Sequence, residues 1–212
     1  AIEINSETDF VAKNKDFINF SKEIAKINFN VSGDLEKMKS YKMKNGETVN
    51  DNLVALISKI GEKITIRRSK FFNNQGGKNY FYIHSAIEKN IGKIICIVKI
   101  LNNEDNDLGL KMAMHIAASN PLSIDKNDLK KEIIDKEEEI IKAEIQNSGK
   151  KGEIVEKIAK GKLNKFISDN TLLNQIWILD PQKKVSDILR EKKKNSEIKI
   201  VDFIRFKVGE GI

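Results

Sequence analysis

Few residues of this sequence have the types and spacing that covalent or metal chemistry requires. The two histidines, His84 and His115, and the one cysteine, Cys96, do not form a zinc-ligand spacing. The segment 208–211, Val-Gly-Glu-Gly, has two glycines but no helix after it, so it is a poor candidate for a phosphate-binding loop. No serine lies in a nucleophile elbow. The sequence therefore predicts no catalytic residue, no metal ion and no cofactor.

The acidic residues fall mostly in charge runs with helical spacing. Such runs are typical of solvated helix faces, so this interpretation is favoured over a paired-carboxylate active site. An enzyme whose site the sequence does not reveal is kept as an alternative.

The composition is that of a basic, globular chain. Its 212 residues are 40% hydrophobic and 33% charged, with a formal net charge of +7. A basic balance favours an acidic partner, which could be nucleic acid, an anionic membrane or a protein, but a lysine-rich surface without such a partner explains it equally well. Aromatic and basic residues do not interleave as in RNA-binding modules, except around residues 80–82.

Several sequence features concern the cellular compartment and the ends of the chain. One cysteine cannot form a disulfide within the chain, which fits a reducing cytoplasm. No apolar run reaches the length of a membrane span, and no secretory signal is visible. Because residue 1 is not Met and the first residues already have strand character, we expect the sequence to begin within a longer protein.

The first elements are a strand and a helix. Ile2 and Ile4 alternate with polar residues, which predicts a short strand. Thr8 is a suitable N-cap and Asp9 suits the positive end of a helix that we predict to run to about Asn28. Apolar residues then recur at helical spacing: Phe10, Phe17, Phe20, Ile24 and Ile27. On this pattern alone, Phe10 is more simply a core residue than an exposed one.

An antiparallel sheet with helices on one side is predicted for the middle of the chain. Gly61 ends a second helix, the run 73–77 is a turn, and a helix over 108–118 stops before Pro121. Three strands are predicted here: one that begins at Ile64, one over residues 80–84 and one over residues 94–101.

The remainder contains a helical hairpin and a closing strand. Isoleucines repeat at seven-residue spacing between residues 128 and 146, residues 147–152 break the pattern, and a second apolar stripe covers 154–167. This predicts an antiparallel hairpin resembling a short coiled coil. A helix over 185–192 and a strand with Ile198, Ile200, Ile204 and Phe206 on one face follow. The mixed order of elements indicates an α+β fold.

Several motifs resemble the elongation factor Ts family, in the family's order and over almost the whole chain. The most specific is residues 3–13, EINSETDFVAK, which is similar to the family's signature segment. The others are 53–62 (LVALISKIGE) with 66–68 (IRR), 114–121 (MHIAASNP), 180–181 (DP) and 203–211 (FIRFKVGEG).

The resemblance implies an architecture of two lobes, each with a small antiparallel sheet packed by helices. The first would span residues 1–77 and carry the Thr-Asp-Phe-Val motif. The second would comprise 78–123 and 173–212, with the coiled-coil hairpin inserted as 124–172. The family's N-terminal helical module and its C-terminal extension would lie outside residues 1–212.

The resemblance also implies a function. Such a chain would be a cytoplasmic guanine-nucleotide exchange factor that binds elongation factor Tu, both GDP-bound and nucleotide-free, without covalent chemistry. Family motif positions assign partner contacts to Thr8, Asp9, Phe10, Val11, Ile60, Gly61, His84, Ile178 and Leu179. Phe10 would wedge between partner helices near the magnesium and nucleotide site, Asp9 would add charge and hydrogen bonds there, and His115 would be structural.

The alternative is a basic RNA- or ribosome-binding module without exchange activity. The family interpretation expects no direct nucleic-acid contact and no membrane, and leaves open a homodimer through the hairpin or the core. Steep weakening of binding by salt would distinguish a phosphate-contacting module from an apolar wedge.

Overall fold

The computed structural model describes residues 1–147, 153–193 and 196–211. Its helices are α1 (Asp9–Ala12), α2 (Lys15–Asn30), α3 (Leu35–Ser40), α4 (Val49–Ile60), α5 (Asn106–Ser119), α6 (Lys131–Asn147), α7 (Glu153–Asn170) and α8 (Val185–Glu191). Its strands are β1 (Ile2–Ser6), β2 (Ile64–Ser69), β3 (Lys78–Glu88), β4 (Ile91–Leu101), β5 (Ile176–Trp177), β6 (Asp180–Lys184) and β7 (Lys199–Lys207). Small antiparallel sheets combined with helices confirm the predicted α+β class.

The predicted helix over residues 8–28 is interrupted, and this changes where Phe10 points. The Asn14 side chain accepts hydrogen bonds from the backbone N–H groups of Asp16 and Phe17, so a new helix, α2, begins at Lys15. Asn competes with a continuing helix in this way because its carbonyl satisfies the free N–H groups of a helix start. Phe17 stays on the buried stripe of α2, whereas Phe10, on the preceding turn, is 87% exposed.

Two clusters of buried apolar side chains form the core. The first lies under β1 and β2, which pair antiparallel, and contains Val11, Phe17, Phe20, Ile24, Ile27, Met38, Val49, Leu56, Ile64 and Ile66. The second is built on the antiparallel sheet β3-β4-β7 and draws its other residues from α5, α8 and the segment 172–177. Cys96 is fully buried in this second cluster, as expected for a structural thiol.

The sheet β3-β4-β7 has a helix near each face. Helix α5 packs closely on one face, where Gly109 lies against the ring of Tyr80. On the other face, Ile95 and Ile97 line a cavity of about 330 Å³ together with Phe29 of α2. Helix α5 thus packs on one face, whereas this cavity separates α2 from the other face.

A bulge in β7 divides the apolar face that the sequence predicted for this strand. Lys99 pairs with Asp202 and Ile100 with Ile200, so Val201 is an extra residue between the two pairs. An inserted residue reverses the alternation of side chains beyond it. Ile198 and Ile200 are buried in the second cluster as predicted. Beyond the bulge, Arg205 rather than Ile204 or Phe206 faces α5, and its Nε donates to the Ala117 carbonyl at 2.9 Å.

Helices α6 and α7 lie side by side, so that the end of α7 comes back next to the segment that precedes α6. At their base, Leu122 N donates to the Asn170 carbonyl at 2.8 Å, and Leu172 N donates to the Ser123 carbonyl at 2.9 Å. Farther along, Lys162 of α7 forms an ion pair with Glu144 of α6. The predicted break over 147–152 lies outside the described residues except for Asn147, and the coiled-coil packing stays a prediction.

A buried carboxylate joins the first sheet to the end of β7. Glu3 of β1 is almost fully buried and pairs with Arg67 at 3.0 Å and with Arg68. Burial would raise the pKa of Glu3, but the hydrogen bonds from Arg68 and Arg67 outweigh that effect and lower it. Arg67 also donates to the Glu210 carbonyl at 2.6 Å, and the guanidinium of Arg68 lies 4.5 Å from the ring centre of Phe206.

Two helical glycines provide a matched test of the packing. In Gly109→Ala the new Cβ would lie 2.1 Å from a Tyr80 ring atom, and that ring is tethered because its hydroxyl donates to the Asn103 carbonyl at 2.9 Å. We expect urea denaturation to show a loss of about 1–3 kcal/mol in the free energy of unfolding.

Gly161→Ala is the control, because nothing lies within 4 Å of the position that its new Cβ would take on α7. It should raise the free energy of unfolding by about 0.5–1 kcal/mol, since alanine is the better helix former. Equal effects of the two substitutions would contradict the described α5–sheet packing.

Candidate functional site

Helix α1 presents an exposed aromatic side chain on a fixed support. Thr8 caps the helix: its hydroxyl accepts from Val11 N at 3.4 Å and donates to the Glu62 carboxylate at 3.0 and 2.9 Å. Val11 is buried in the first core cluster, which anchors the helix from below. Phe10, in contrast, projects into solvent. We call residues Thr8–Val11 the tip.

The end of α4 lies beside the tip. Gly61 ends α4 with a left-handed backbone, at φ +81°, and Glu62 then reaches Thr8. The Lys63 N–H donates to the Glu7 carboxylate at 3.3 Å, which ties the two segments together a second time. The structure thus brings Ile60 and Gly61 close to the tip, although they are some fifty residues away in sequence. Ile60 is half-buried against the first cluster and Gly61 is exposed.

The carboxylate of Asp9 pairs with a lysine of the neighbouring sheet. Lys93 Nζ lies 3.0 and 3.2 Å from the two Asp9 oxygens, and the side chains are 55% and 73% exposed, respectively. An ion pair this exposed contributes little stability, commonly under about 1 kcal/mol. The pair lies on the wall of a cleft of about 1040 Å³, which is also lined by Lys22, Lys26 and Lys89.

His84 lies near this region but on another face. It is exposed on β3, its Nδ1 is 3.3 Å from the Tyr82 hydroxyl, and it pairs with Ile94. Ile94 packs on the second core cluster, while Lys93 faces the cleft. Because neighbouring strand residues point to opposite faces, His84 and Asp9 are at one end of the sheet but on different sides of it.

A second exposed apolar segment occurs at the turn between β5 and β6. Ile178 and Leu179 are exposed there, next to the exposed Ile176, while Trp177 is buried between them. The Trp177 indole stacks on the imidazole of His115, with ring centres 5.1 Å apart. Among the residues that the structure describes, no hydrogen bond or ion pair connects this turn with the tip, so the predicted site residues fall into at least two separate surfaces.

His115 is buried and bonded on both ring nitrogens. Ile178 N donates to its Nδ1 at 3.3 Å, and its Nε2 lies 3.0 Å from the side-chain oxygen of Gln175. Burial lowers the pKa of His115, and the hydrogen bond with Gln175 opposes this only in part. The imidazole is therefore neutral at physiological pH.

Sequence reasoning missed the partners that hold the site residues. Glu62 lies within one of the family-like motifs, but nothing in the sequence links it to Thr8. Lys93 and Gln175 carry no local signal, because their roles arise from contacts more than fifty residues apart in the chain.

The described residues also bear on metal ligands, membrane-spanning helices and the reactivity of the cysteine. Among residues 1–147, 153–193 and 196–211, no group of three or more His, Cys, Asp or Glu side chains is placed to hold a metal ion. In the same ranges, no helix combines the length and apolar character that crossing a membrane requires. Burial raises the pKa of the Cys96 thiol, so this group is a poor nucleophile.

Comparisons with known proteins agree on one family. Residues 7–210 match the family model described as Elongation factor TS. A protein named Elongation factor Ts from Gluconobacter oxydans is 35% identical over 215 residues, which cover this whole chain and 70% of that relative. Proteins of the same name from Rickettsia akari and Rickettsia bellii are 34% and 35% identical over 218 residues, with the same coverage.

The buried His115 predicts a pH dependence of stability. The pKa of His115 in the folded protein lies below its ordinary value of 6.5 in the unfolded chain. At a pH between the folded and the unfolded pKa, the unfolded chain therefore binds a proton that the folded protein does not. The contribution of His115 to the free energy of unfolding should fall as the pH drops below 6.5, by at most about 1.4 kcal/mol per pH unit. The N-terminal amine of Ala1, whose pKa is lowered from 8.0 by burial, adds a dependence of the same sign that begins near pH 8.

Urea denaturation between pH 7.5 and 5.5, above the ordinary pKa values of carboxylates, measures this. His115→Asn should lower the slope below pH 6.5, while His84→Gln, which removes the other histidine, should retain it. An unchanged slope in His115→Asn would assign the dependence to another group.

Proposed function

The chain belongs to the elongation factor Ts family, and on that premise we propose that it is a guanine-nucleotide exchange factor for elongation factor Tu in translation elongation. The observation that carries the proposal is the exposure of Phe10 within the family's signature segment. An aromatic side chain that is 87% exposed on a helix anchored by Val11 and Thr8 has no role in this chain's own core. Its position is that of a contact residue.

The proposed mechanism is the insertion of the tip near the nucleotide site of elongation factor Tu. Phe10 would enter between partner helices, and Asp9 would approach the groups that surround the magnesium ion and the phosphates. If this chain and GDP favour different shapes of the partner, each must weaken the binding of the other by the same factor. GDP then dissociates faster, and no covalent bond is made or broken.

Burial of Phe10 can supply the energy for this step. Moving a phenylalanine side chain from water into an apolar site is favourable by about 1.5–3 kcal/mol. Because Thr8 and Val11 already fix α1, little conformational entropy is lost when the tip binds. A preorganised wedge therefore delivers most of its burial energy to the complex.

The Asp9–Lys93 pair fits the same mechanism. In the free protein the two carboxylate oxygens of Asp9 lie 3.0 and 3.2 Å from Lys93 Nζ. Asp9 must therefore exchange Lys93 for groups of elongation factor Tu. An exposed pair gives way at small cost. We therefore propose that Asp9 is kept oriented by Lys93 and is released on contact.

The remaining predicted contacts extend the proposal to two surfaces. Ile60 and Gly61 beside the tip, with His84 at the neighbouring edge of β3, would contact the nucleotide-binding domain. Ile178 and Leu179 would contact another domain of the partner. In this proposal the tip, Ile60 and Gly61 belong to the lobe of residues 1–77. His84, Ile178 and Leu179 belong to the lobe of 78–123 and 173–212, with 124–172 as the inserted hairpin.

A basic RNA- or ribosome-binding module is the second candidate. The observation in its favour is the net charge of +7, together with four lysines on the wall of one cleft. Binding through phosphates would weaken steeply with added salt. Exchange driven by an apolar wedge would not, so measurement of GDP release at several salt concentrations separates the two candidates.

Phe10→Ala tests the proposed wedge. We expect the release of fluorescent GDP from elongation factor Tu, measured at a fixed, subsaturating concentration of this chain, to slow by about 10- to 150-fold, which corresponds to the lost burial of about 1.5–3 kcal/mol. Circular dichroism and urea denaturation should show the folded state unchanged, because the side chain has no packing to lose.

Phe29→Ala is the matched control. Phe29 is also an exposed phenylalanine, at 68%, but it lies beside Phe71 at the C-terminal end of α2, whereas the tip precedes the start of that helix. This variant should exchange nucleotide like the unaltered chain. Normal exchange by Phe10→Ala, with wild-type acceleration present, would refute the site assignment.

A further inference from the structure

The turn that carries Ile178 and Leu179 has little support from its own sheet. Strand β5 has two residues and β6 has five, and their pairing is irregular after Ile176. A two-stranded ribbon of this size is marginal in water. Another contact must therefore hold the two exposed apolar side chains in place.

His115 provides this contact from below. The imidazole is fully buried on α5, stacks on Trp177 and accepts the Ile178 N–H at Nδ1. Since a backbone N–H can only donate, Nδ1 must be the unprotonated nitrogen, and the ring proton lies on Nε2. Nε2 then donates to the side-chain oxygen of Gln175 at 3.0 Å.

Gln175 fixes this arrangement further. Its side-chain nitrogen donates to the carbonyls of Ser119 at 3.1 Å and Asp169 at 2.8 Å, which lie at the ends of α5 and α7. Two carbonyl acceptors leave the amide only one orientation, with its oxygen toward His115. The ends of two helices thus determine the imidazole tautomer, and the tautomer in turn determines where the Ile178 N–H is held.

We propose that His115 is a positioning residue that presents Ile178 and Leu179 as a docking surface, through the Ile178 N–H bond and the Trp177 stack. Its contribution to nucleotide exchange rests on the proposed function. The positioning itself does not, because every contact involved lies within this chain. A histidine that sequence reasoning regarded only as structural thereby acquires a specific task.

Three substitutions of His115 separate the stacking of its imidazole on Trp177 from the hydrogen bonds of Nδ1 and Nε2. His115→Phe keeps a ring against Trp177 but has neither an acceptor nor a donor. His115→Asn places an oxygen near the Nδ1 position and can still accept from Ile178 N. His115→Gln places its polar group near the Nε2 position and retains a donor toward Gln175.

Hydrogen exchange of the Ile178 amide is the direct measurement, and it needs no partner. We expect exchange at least about tenfold faster in His115→Phe and His115→Gln, because the acceptor is lost, and a rate near wild type in His115→Asn. Ile24→Ala, buried in the other cluster, controls for lost stability and should leave the local exchange unchanged.

The dependence of GDP release on the concentration of this chain measures the consequence for docking. His115→Phe should raise the half-saturating concentration at least about fivefold without changing the saturated rate, as should Leu179→Ala, and His115→Asn should restore it. Equal Ile178 exchange in His115→Phe and wild type would overturn the positioning role.

The failures of the two proposals are distinguishable. Normal half-saturation in Leu179→Ala, with wild-type acceleration present, would overturn the docking role of the turn. Absence of acceleration by the wild-type chain would overturn the proposed exchange function, while the amide measurement would still decide whether His115 positions the turn.

Discussion

The hydrogen bonds around Thr8 and Asn14 are the constraint on which the candidate site depends. Thr8 caps α1 and is held by Glu62, and Asn14 starts α2 after a single turn of the preceding helix. Two caps within seven residues break the apolar stripe, so that Val11 faces the core and Phe10 faces solvent. A continuous helix would have placed Phe10 on the stripe of Phe17 and Ile24, and an exposed aromatic tip would not exist.

The tip works only if its surroundings are rigid, and the buried Glu3 supplies this rigidity. The buried carboxylate of Glu3 is compensated by two partly exposed arginines, Arg67 and Arg68, and these contacts hold the three side chains together. Arg67 and Arg68 also contact the chain end at Glu210 and Phe206. The network thereby fixes β7 against the first sheet, and with it the position of Lys93 opposite Asp9.

Local sequence rules predicted the elements well and the contacts between them poorly. The Gly61 helix end, the strands and the α+β class follow from periodicity and turn residues, which are local properties. The Asn14 cap was missed, although it is local, because the apolar spacing continues through it from Phe10 to Ile27. The bulge at Val201 was missed because it depends on the pairing of β7 with β4. The candidate residues themselves came from family motifs. Their supports, Glu62, Lys93 and Gln175, come from residues distant in sequence and required the structure.

If both proposed surfaces contact the partner, their fixed spacing would explain how weak contacts displace a tightly held nucleotide. Once one surface binds, the second binds as an intramolecular step at high effective concentration, so the two binding energies combine without a second loss of translational freedom. That gain disappears if the surfaces can move relative to one another by more than the contacts tolerate. The buried polar groups, Glu3 with its two arginines and His115 with Gln175, are therefore best understood as restraints on the geometry of the two surfaces. A purely apolar core of equal stability would not specify that geometry, because apolar packing lacks the directionality of hydrogen bonds.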